Sequence, residues 1–427
     1  MSLFVEGKLR EDRANGPSEA EGRRTQMAGP MDGIRVVEIG VWVAGPAAGG
    51  VLADWGADVV KIEPPGLGDP SRSFSSMLGA DLPFNPIFEN DNRSKRSIVI
   101  DLQHEEGRDL ALSLVDEADV FVTNVRQAAL RRLGLGPDAL LARNPRLVYG
   151  AITGYGLEGP DADRAAYDIA GFWARSGIAA ALTSPGHHPP FQRGGMGDHN
   201  AGLGLAGGIS AALFAREKSG KGQLVSTSLL RTGLYTLSFD LSVAVRFGVA
   251  VGVADRKTMG NPAINCYADR DGRWFWIVGL EGERHWPPLA RAAGHPEWLD
   301  DPRFSKPAER AANAPALIEM LDEIFATKTR EEWGEIFDAE QDLWWAPVQN
   351  SDEVMADPQV HAGGGFVDVP DGATTTKLPA TPIDFGGTPW EPRAMAPAHG
   401  AHTDEILSEL GRDPSEIEAL RKRGVVG

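Results

Sequence analysis

Asp168 is the residue of this sequence with the clearest capacity for chemistry. It sits in Arg164-Ala-Ala-Tyr-Asp-Ile-Ala170, after a strand-and-turn stretch at 147–156 and the turn Glu158-Gly159-Pro160. The residues that follow it read as an amphipathic helix. A carboxylate beside a helix N-terminus is favoured by the helix dipole and can act as a nucleophile in covalent catalysis. A surface position or a helix cap is the plain alternative for a single Asp in such a setting. The nine histidines fall at 104, 187, 188, 199, 285, 295, 361, 399 and 402, so no His close in sequence can serve Asp168 as a base. His187 and His188 lie in a Pro-rich loop and read as solvent-exposed rather than as metal ligands.

Other chemistries lack their motifs. The first turn reads Gly40-Val-Trp-Val-Ala-Gly45-Pro46, in which Trp42 and Pro46 break the Gly-x-Gly-x-x-Gly cradle of a dinucleotide site. There is no Gly-x-x-x-x-Gly-Lys-Ser/Thr, no Gly-x-Ser-x-Gly and no His-Glu-x-x-His. Basic residues cluster at Arg93, Lys95 and Arg96 and again at Arg126, Arg131 and Arg132. Each cluster is either a solvated face or local positive charge for a small anion.

The balance of 42 basic and 60 acidic residues, a net charge of −18, argues against nucleic acid and anionic membranes as partners. The lone Cys266 excludes an intrachain disulfide and a Cys-cluster metal site, which suits a reducing cytoplasm. No apolar run approaches the roughly 20 residues of a membrane span. Residues 1–30 are rich in Arg, Glu, Gly and Ser and read as a disordered tail, with Met27 and Met31 as alternative starts. At 427 residues the chain is long enough for two domains.

From Gly33 onward the pattern alternates. Strands are expected at 34–40, 58–63, 97–101, 119–123, 146–152 and 223–228, and helices at 45–56, 106–118, 137–143 and 200–216. Repeated β-α-β units imply a doubly wound parallel sheet. A long apolar helix is expected at 229–247 and a β-hairpin at 265–278 turning at Asp271-Gly272. Helices follow at 281–294, 307–326 and 329–340, then a loop-rich stretch with a strand at 366–369 and two short helices at 404–411 and 414–423. Trp274, Trp276, Trp286, Trp344 and Trp345 mark either a pocket for a bulky acid or plain core packing.

A series of short motifs then resembles one family. Met31-Asp-Gly-Ile-Arg-Val36, Ala-Gly-Pro at 44–46, Gly-Ala-Asp-Val-Val-Lys-Ile-Glu at 56–63, Gly-Asp-Pro-x-Arg at 68–72 and Asn-Arg-x-Lys-Arg-Ser at 92–97 come first. Gly-Tyr-Gly-x-x-Gly-Pro at 154–160, Tyr-Asp at 167–168, Gly-Asp at 197–198, Gly-Asn-Pro at 260–262, Asp-Gly-Arg-Trp at 271–274 and Gly-x-His-Thr-Asp-Glu at 400–405 follow. In this order they resemble the family III CoA-transferases of the CaiB/BaiF type, which include formyl-CoA transferase, carnitine CoA-transferase and α-methylacyl-CoA racemase. The likeness runs from about Gly33 to Val426.

The resemblance implies that Asp168 is the nucleophile of a CoA transfer from an acyl-CoA to a carboxylic acid. It implies that CoA is a substrate, with no tightly bound cofactor and no metal. CoA would be held by Val43 and Ala44, by Asn124, Val125, Arg126 and Arg132, and by Thr153, Gly154 and Tyr155, with Arg72 and Lys95 as further candidates. Arg matches phosphate with paired donors, and Arg126 follows a strand of the expected sheet at its ligand-binding edge. Gly260 and Asn261 would supply an oxyanion donor. The implied architecture is a Rossmann-like large domain at 31–228, a small mixed α/β domain with a connecting helix at 229–345, and a return segment at 346–427 that completes the large domain. The implied assembly is an interlocked homodimer in the cytoplasm. Pro64 and Gln103 depart from the basic residues of several relatives, and the longer glycine-rich loop of formyl-CoA transferase is missing, which argues against oxalate. The runner-up activity is α-methylacyl-CoA racemisation, which needs a proton carrier on each face of the substrate. Tyr167 and Asp138 stand where the racemases carry His. A non-catalytic CoA-binding protein is the third reading. The acyl groups are not legible.

Overall fold

In the computed structural model, residues 29–77, 79, 82, 84–253 and 255–427 are described. Residues 1–28 of the expected tail therefore lie outside the described residues. Six strands form one sheet: β1 Arg35–Ile39, β2 Asp58–Glu63, β3 Arg96–Val99, β4 Val120–Thr123, β5 Val148–Thr153 and β6 Leu224–Ser228. Their order is β3-β2-β1-β4-β5-β6. β1 and β2, β1 and β4, β2 and β3, and β4 and β5 pair in parallel, with Val36 opposite both Val59 and Val120. β1, β2, β4 and β5 are rich in buried Val and Ile, as a sheet covered on both faces requires, although β1 and β2 also carry the buried charges Glu38, Lys61 and Glu63. The order reverses between β1 and β4, where doubly wound sheets bind ligands.

The chain divides into two compact units. The first takes the described residues up to Ala151, with Leu205–Val225 and Asp368–Gly427. Val37, Ile62, Ile98, Phe121 and Tyr149 share its core with Leu110 and Leu114 of the helix Glu105–Asp116. Ile406, Leu407, Ile417 and Leu420 of the helices Thr403–Glu409 and Pro414–Lys422 join that core, so residues from both ends of the chain fill one interior. The helix Ala44–Asp54 is buried at every residue. Its Ala and Gly content permits this: a Cβ on Gly49 would lie 2.0 Å from Glu38 Oε2, and one on Gly50 would lie 2.7 Å from the Asp91 carbonyl.

The second unit takes Ile152–Gly204 and Ser226–Val367. This division departs from the expected boundaries at 228 and 346. Residues 152–204 group with the later segments because a π-type turn, Ile169–Ala174, packs on the helix Leu229–Thr236. A Cβ on Gly171 would lie 2.9 Å from Leu229 Cβ, and one on Gly233 would lie 2.6 Å from the Phe172 carbonyl. The expected hairpin is present as β7 Ile264–Ala268 and β8 Trp274–Val278, with Gly272 at φ +77° in its turn. β9 Trp345–Pro347, where no strand was expected, adds a third antiparallel strand. Phe275 and Ile277 point into a core built with Leu289, Leu317, Leu321, Phe325, Trp333 and Phe337.

Two expected helices are each broken. The 229–247 helix is Leu229–Thr236 and Ser238–Phe247, interrupted at Leu237; Thr236 Oγ1 bonds back to the Thr232 carbonyl, a contact that bends helices. The 307–326 helix stops at Asn313, because Pro315 has no N–H to continue the ladder. No helix among the described residues is long and apolar enough to cross a membrane.

Gly49→Ala tests the packing of the first unit. Alanine gains about 1 kcal/mol of helix propensity. Displacing Glu38 breaks a buried ion pair, at about 3–5 kcal/mol. Urea unfolding should therefore show a net loss of about 2 kcal/mol or more. An unchanged or higher midpoint would contradict the packing described.

Candidate active site

At the carboxyl ends of β1 and β4 the chain builds a turn from the bottom up. Asn124, just past β4, accepts from Val41 N–H at 2.9 Å and donates to the Val41 carbonyl at 2.7 Å. This side chain stitches the two loops together and brings Val43, Ala44, Asn124, Val125 and Arg126 to one edge. Trp42 occupies the left-handed region at φ +63°, unusual for a bulky residue. Its N–H is held by Asp69 Oδ1 at 3.0 Å.

Beneath that turn lies a buried charge network. Lys61 Nζ donates to Glu38 Oε1 at 2.8 Å and to the Gly40 carbonyl at 2.9 Å, and pairs with Asp69 at 2.9 Å. Lys95 Nζ donates to Glu38 Oε2 at 2.7 Å, the Pro46 carbonyl at 2.8 Å and Asn92 Oδ1 at 3.0 Å. All three of its protons are engaged inside the fold. Lys95 therefore has no donor left for a phosphate, which corrects the expectation from sequence. Arg72 is similarly engaged: Nε and Nη2 grip Glu63 at 2.7 and 2.6 Å, Nη2 reaches the Pro397 carbonyl, and the guanidinium lies over Phe88. A carboxylate already fills the fork that a phosphate would take.

Burial raises the Glu63 carboxyl, but Arg72, Lys61 and Ser97 outweigh it and hold its pKa at about 2. Burial also opposes ionisation of Glu38, and the two lysines reverse this and lower it. Burial pulls Lys95 down to about 8 against the attraction of Glu38. Lys61 moves the other way, because Glu38, Asp69 and Glu63 together outweigh its burial.

The second basic cluster has a different fate. Arg126 precedes the helix Gln127–Arg132, whose last turn carries Arg131 and Arg132. All three are exposed and make no ion pair among the described residues.

In the second unit, Asp168 is 9% exposed and stands at the head of the π-type turn Ile169–Ala174. The amphipathic helix expected after it is this single wide turn, a form common at functional sites. The side chain of Asp168 makes no cap hydrogen bond, so the capping alternative fails. Its Oδ2 instead accepts from Gln192 Nε2 at 2.7 Å. Gln192 lies 24 residues away in the Pro-rich loop, and no sequence pattern singles it out. Trp173, on the π-type turn, donates Nε1–H to the Pro190 carbonyl at 3.0 Å and anchors that loop.

The turn after β5 adjoins the same element. A Cβ on Gly154 would lie 2.6 Å from Ala166 Cβ, the Gly154 carbonyl accepts from Leu230 N–H at 3.0 Å, and Thr153 Oγ1 accepts from Gly156 N–H at 2.9 Å. Thr153, Gly154 and Tyr155 are thus brought beside the Asp168 segment. Tyr155 is faced by Arg164 and Arg175, their guanidinium carbons 6.0 and 4.7 Å from the ring centre. The Asn261 side chain is taken up by its own turn, accepting from Ala263 N–H and donating to the Gly279 carbonyl, both at 3.0 Å. Gly260 is exposed.

The five tryptophans do not line one pocket. Trp286 is buried and stacks on Trp298, Trp345 packs against Phe275 and Phe337, and Trp344 rests on His285. Trp274 and Trp276 are half exposed on the outer face of β8.

Comparison with known proteins follows the same lines. The family model described as CoA-transferase family III matches residues 31–403. The (R)-2-hydroxy-4-methylpentanoate CoA-transferase of Clostridioides difficile is 31% identical over 93% of this chain and 99% of its own. The cinnamoyl-CoA:phenyllactate CoA-transferase of Clostridium sporogenes is 31% identical over 92% and 96%. A CAIB/BAIF family protein from Brucella suis superposes with a TM-score of 0.78 at 31% identity, covering 90% of this chain and 100% of that one.

Glu63 makes the charge network testable by pH. Its folded pKa of about 2 lies below the ordinary 4.5, so its stabilisation is fully present above pH 4.5 and is lost as pH falls through about 2. Glu63→Gln should unfold at a lower temperature at pH 7 and lose less stability than the parent between pH 4.5 and 2. Parallel acid limbs in the two sets of melts would refute this assignment.

Proposed function

The chain belongs to CoA-transferase family III, and on that footing we propose that it moves CoA from an acyl-CoA thioester to a carboxylic acid through covalent intermediates on Asp168. The observation that carries this reading is the state of the Asp168 carboxylate. It is buried, makes no cap bond, and has an amide on one oxygen.

Asp168 attacks the donor thioester carbonyl, the C–S bond breaks, and CoA leaves as thiolate from a mixed anhydride. The thiolate attacks the aspartyl carbonyl, releases the donor acid and leaves an aspartyl-CoA thioester. The acceptor carboxylate displaces the thiolate to form a second anhydride. Thiolate attack on the acceptor carbonyl then yields the new acyl-CoA and restores Asp168. Each step exchanges one activated acyl for another, which is the gain of covalent catalysis. Backbone N–H groups, including that of Gly260, are suited to stabilising the thioester oxyanion.

For CoA itself, the reading favours the edge formed by Val43, Ala44, Asn124, Val125 and Arg126, at the point where the strand order reverses. Arg126 and Arg132 have the free guanidinium donors that Arg72 and Lys95 lack. Thr153, Gly154 and Tyr155, beside the Asp168 segment in the second unit, are further candidates for CoA contact. The acceptor is a carboxylic acid, and the two relatives named above suggest phenyllactate and (R)-2-hydroxy-4-methylpentanoate as first trials, with cinnamoyl-CoA as first donor.

The enzyme is further proposed to be a homodimer. The helix Ser238–Phe247 has no buried residue, and Phe239, Val245 and Phe247 are 78%, 88% and 71% exposed. Apolar exposure on that scale marks a surface that is covered in the assembled protein. Sedimentation should give twice the chain mass, and a stable, active monomer across a concentration series would overturn it.

A screen of acyl-CoA donors against carboxylic acids, with mass detection of the CoA products, tests the activity. Asp168→Ala should lower kcat by roughly 10⁴-fold or more, as for loss of a covalent nucleophile, with the acyl-CoA still bound. Arg126→Ala and Arg132→Ala should each raise KM for acyl-CoA by about tenfold, as for one charged hydrogen bond, with little change in kcat. Full turnover by Asp168→Ala would defeat the covalent reading.

A further inference from the structure

We propose that Gln192 is the oxyanion donor for both attacks on the aspartyl carbonyl, an inference that rests on Asp168 being the covalent nucleophile. Gln192 Nε2 donates to Asp168 Oδ2 at 2.7 Å. A carboxylate offers only acceptors, so the NH₂ end of the amide must face it. That orientation leaves Gln192 Oε1 buried with no hydrogen-bond partner among the described residues. An orphaned buried carbonyl destabilises a fold, so stability does not explain the placement. The geometry is nevertheless held: Trp173 ties Pro190, two residues before Gln192, to the same π-type turn that begins at Asp168. The nucleophile heads this turn, and the loop that carries the donor is tied to it.

The hydrogen bond makes the two carboxylate oxygens inequivalent. Oδ2 carries the donor, and Oδ1 is the oxygen that attacks the thioester. In the resulting anhydride Oδ1 bridges the two acyl groups and Oδ2 is the carbonyl oxygen of Cγ. When CoA thiolate adds to Cγ, the C=O electron pair moves onto Oδ2. The oxyanion so formed faces the Gln192 N–H. Collapse of this species re-forms C=O, breaks Cγ–Oδ1 and expels the donor carboxylate, which carries Oδ1 away. The acceptor carboxylate then adds to Cγ, again placing charge on Oδ2, and thiolate leaves. No proton is transferred, so a donor that never titrates is sufficient. In the resting carboxylate the charge is shared by two oxygens, whereas in each tetrahedral species Oδ2 bears all of it. The bond to Gln192 therefore strengthens in the transition state, which is the condition for catalysis.

Gln192→Ala and Gln192→Asn should lower kcat by about 10²–10³-fold, the usual loss for one oxyanion donor, with KM for acyl-CoA within about threefold of the parent. The shorter Asn keeps the amide but does not reach Oδ2, so it covers the case in which the Ala variant folds poorly. Quenched-flow mass spectrometry supplies a second readout, using cinnamoyl-CoA or whichever donor of the screen the parent turns over, without acceptor. The parent should gain the mass of CoA less water on the peptide carrying Asp168, and both variants should gain it about 10²-fold more slowly. Labelling of Asp168 in the parent with kcat unchanged in both Gln192 variants overturns the role of Gln192 alone. Absence of that adduct in the parent, or an adduct that survives Asp168→Ala, overturns the covalent reading and this inference with it.

Discussion

One buried carboxylate organises the first unit. Glu38 is shared by the ammonium groups of Lys61 and Lys95, and all three side chains are shut off from water. Removing three charges from solvent is unfavourable unless each finds several partners. Here each does, and the partners are backbone and side-chain groups from distinct stretches of chain. Gly40, Pro46, Asp69 and Asn92 are all held by the two ammonium groups. Such a network is weak evidence for net stability. Its consequence is geometric: the loop after β1 has one position.

That position is otherwise unfavourable. Trp42 sits at φ +63°, a conformation that costs about 1–3 kcal/mol for a bulky residue. Asp69 holds the Trp42 N–H, and Lys61 holds Asp69. The small residues of the helix Ala44–Asp54 belong to the same solution, because any side chain at Gly49 would strike Glu38. The backbone edge at Val43 and Ala44 is thus shaped by charges that are themselves buried.

The second unit solves a related problem around Asp168 with packing in place of charge. Gly154, Gly171 and Gly233 allow the turn after β5, the π-type turn and the helix Leu229–Thr236 to approach closely. Trp173 then pins the loop that carries Gln192. An isolated acid that could have been a cap becomes a buried carboxylate with a defined partner on one oxygen.

Local pattern was enough for much of this. The alternation of Val-rich strands with helices, the hairpin at Asp271-Gly272 and the family motifs were all readable, because each depends on residues within a few positions of one another. The breaks at Leu237 and Asn313 were missed where a single back-bonding Thr or a Pro overrode a long apolar run. The basic clusters were the harder case. Lys95 and Arg126 look alike as letters, yet one has every proton engaged internally and the other is exposed. Partnership across 57 residues, as between Lys95 and Glu38, or 24, as between Gln192 and Asp168, has no local signature. The sequence by itself determined the family, the parallel sheet and the nucleophile candidate. Which charges face solvent, which are locked inside, and what touches Asp168 were decided only when the chain folded, because those outcomes depend on distances between residues that the order of the chain keeps apart.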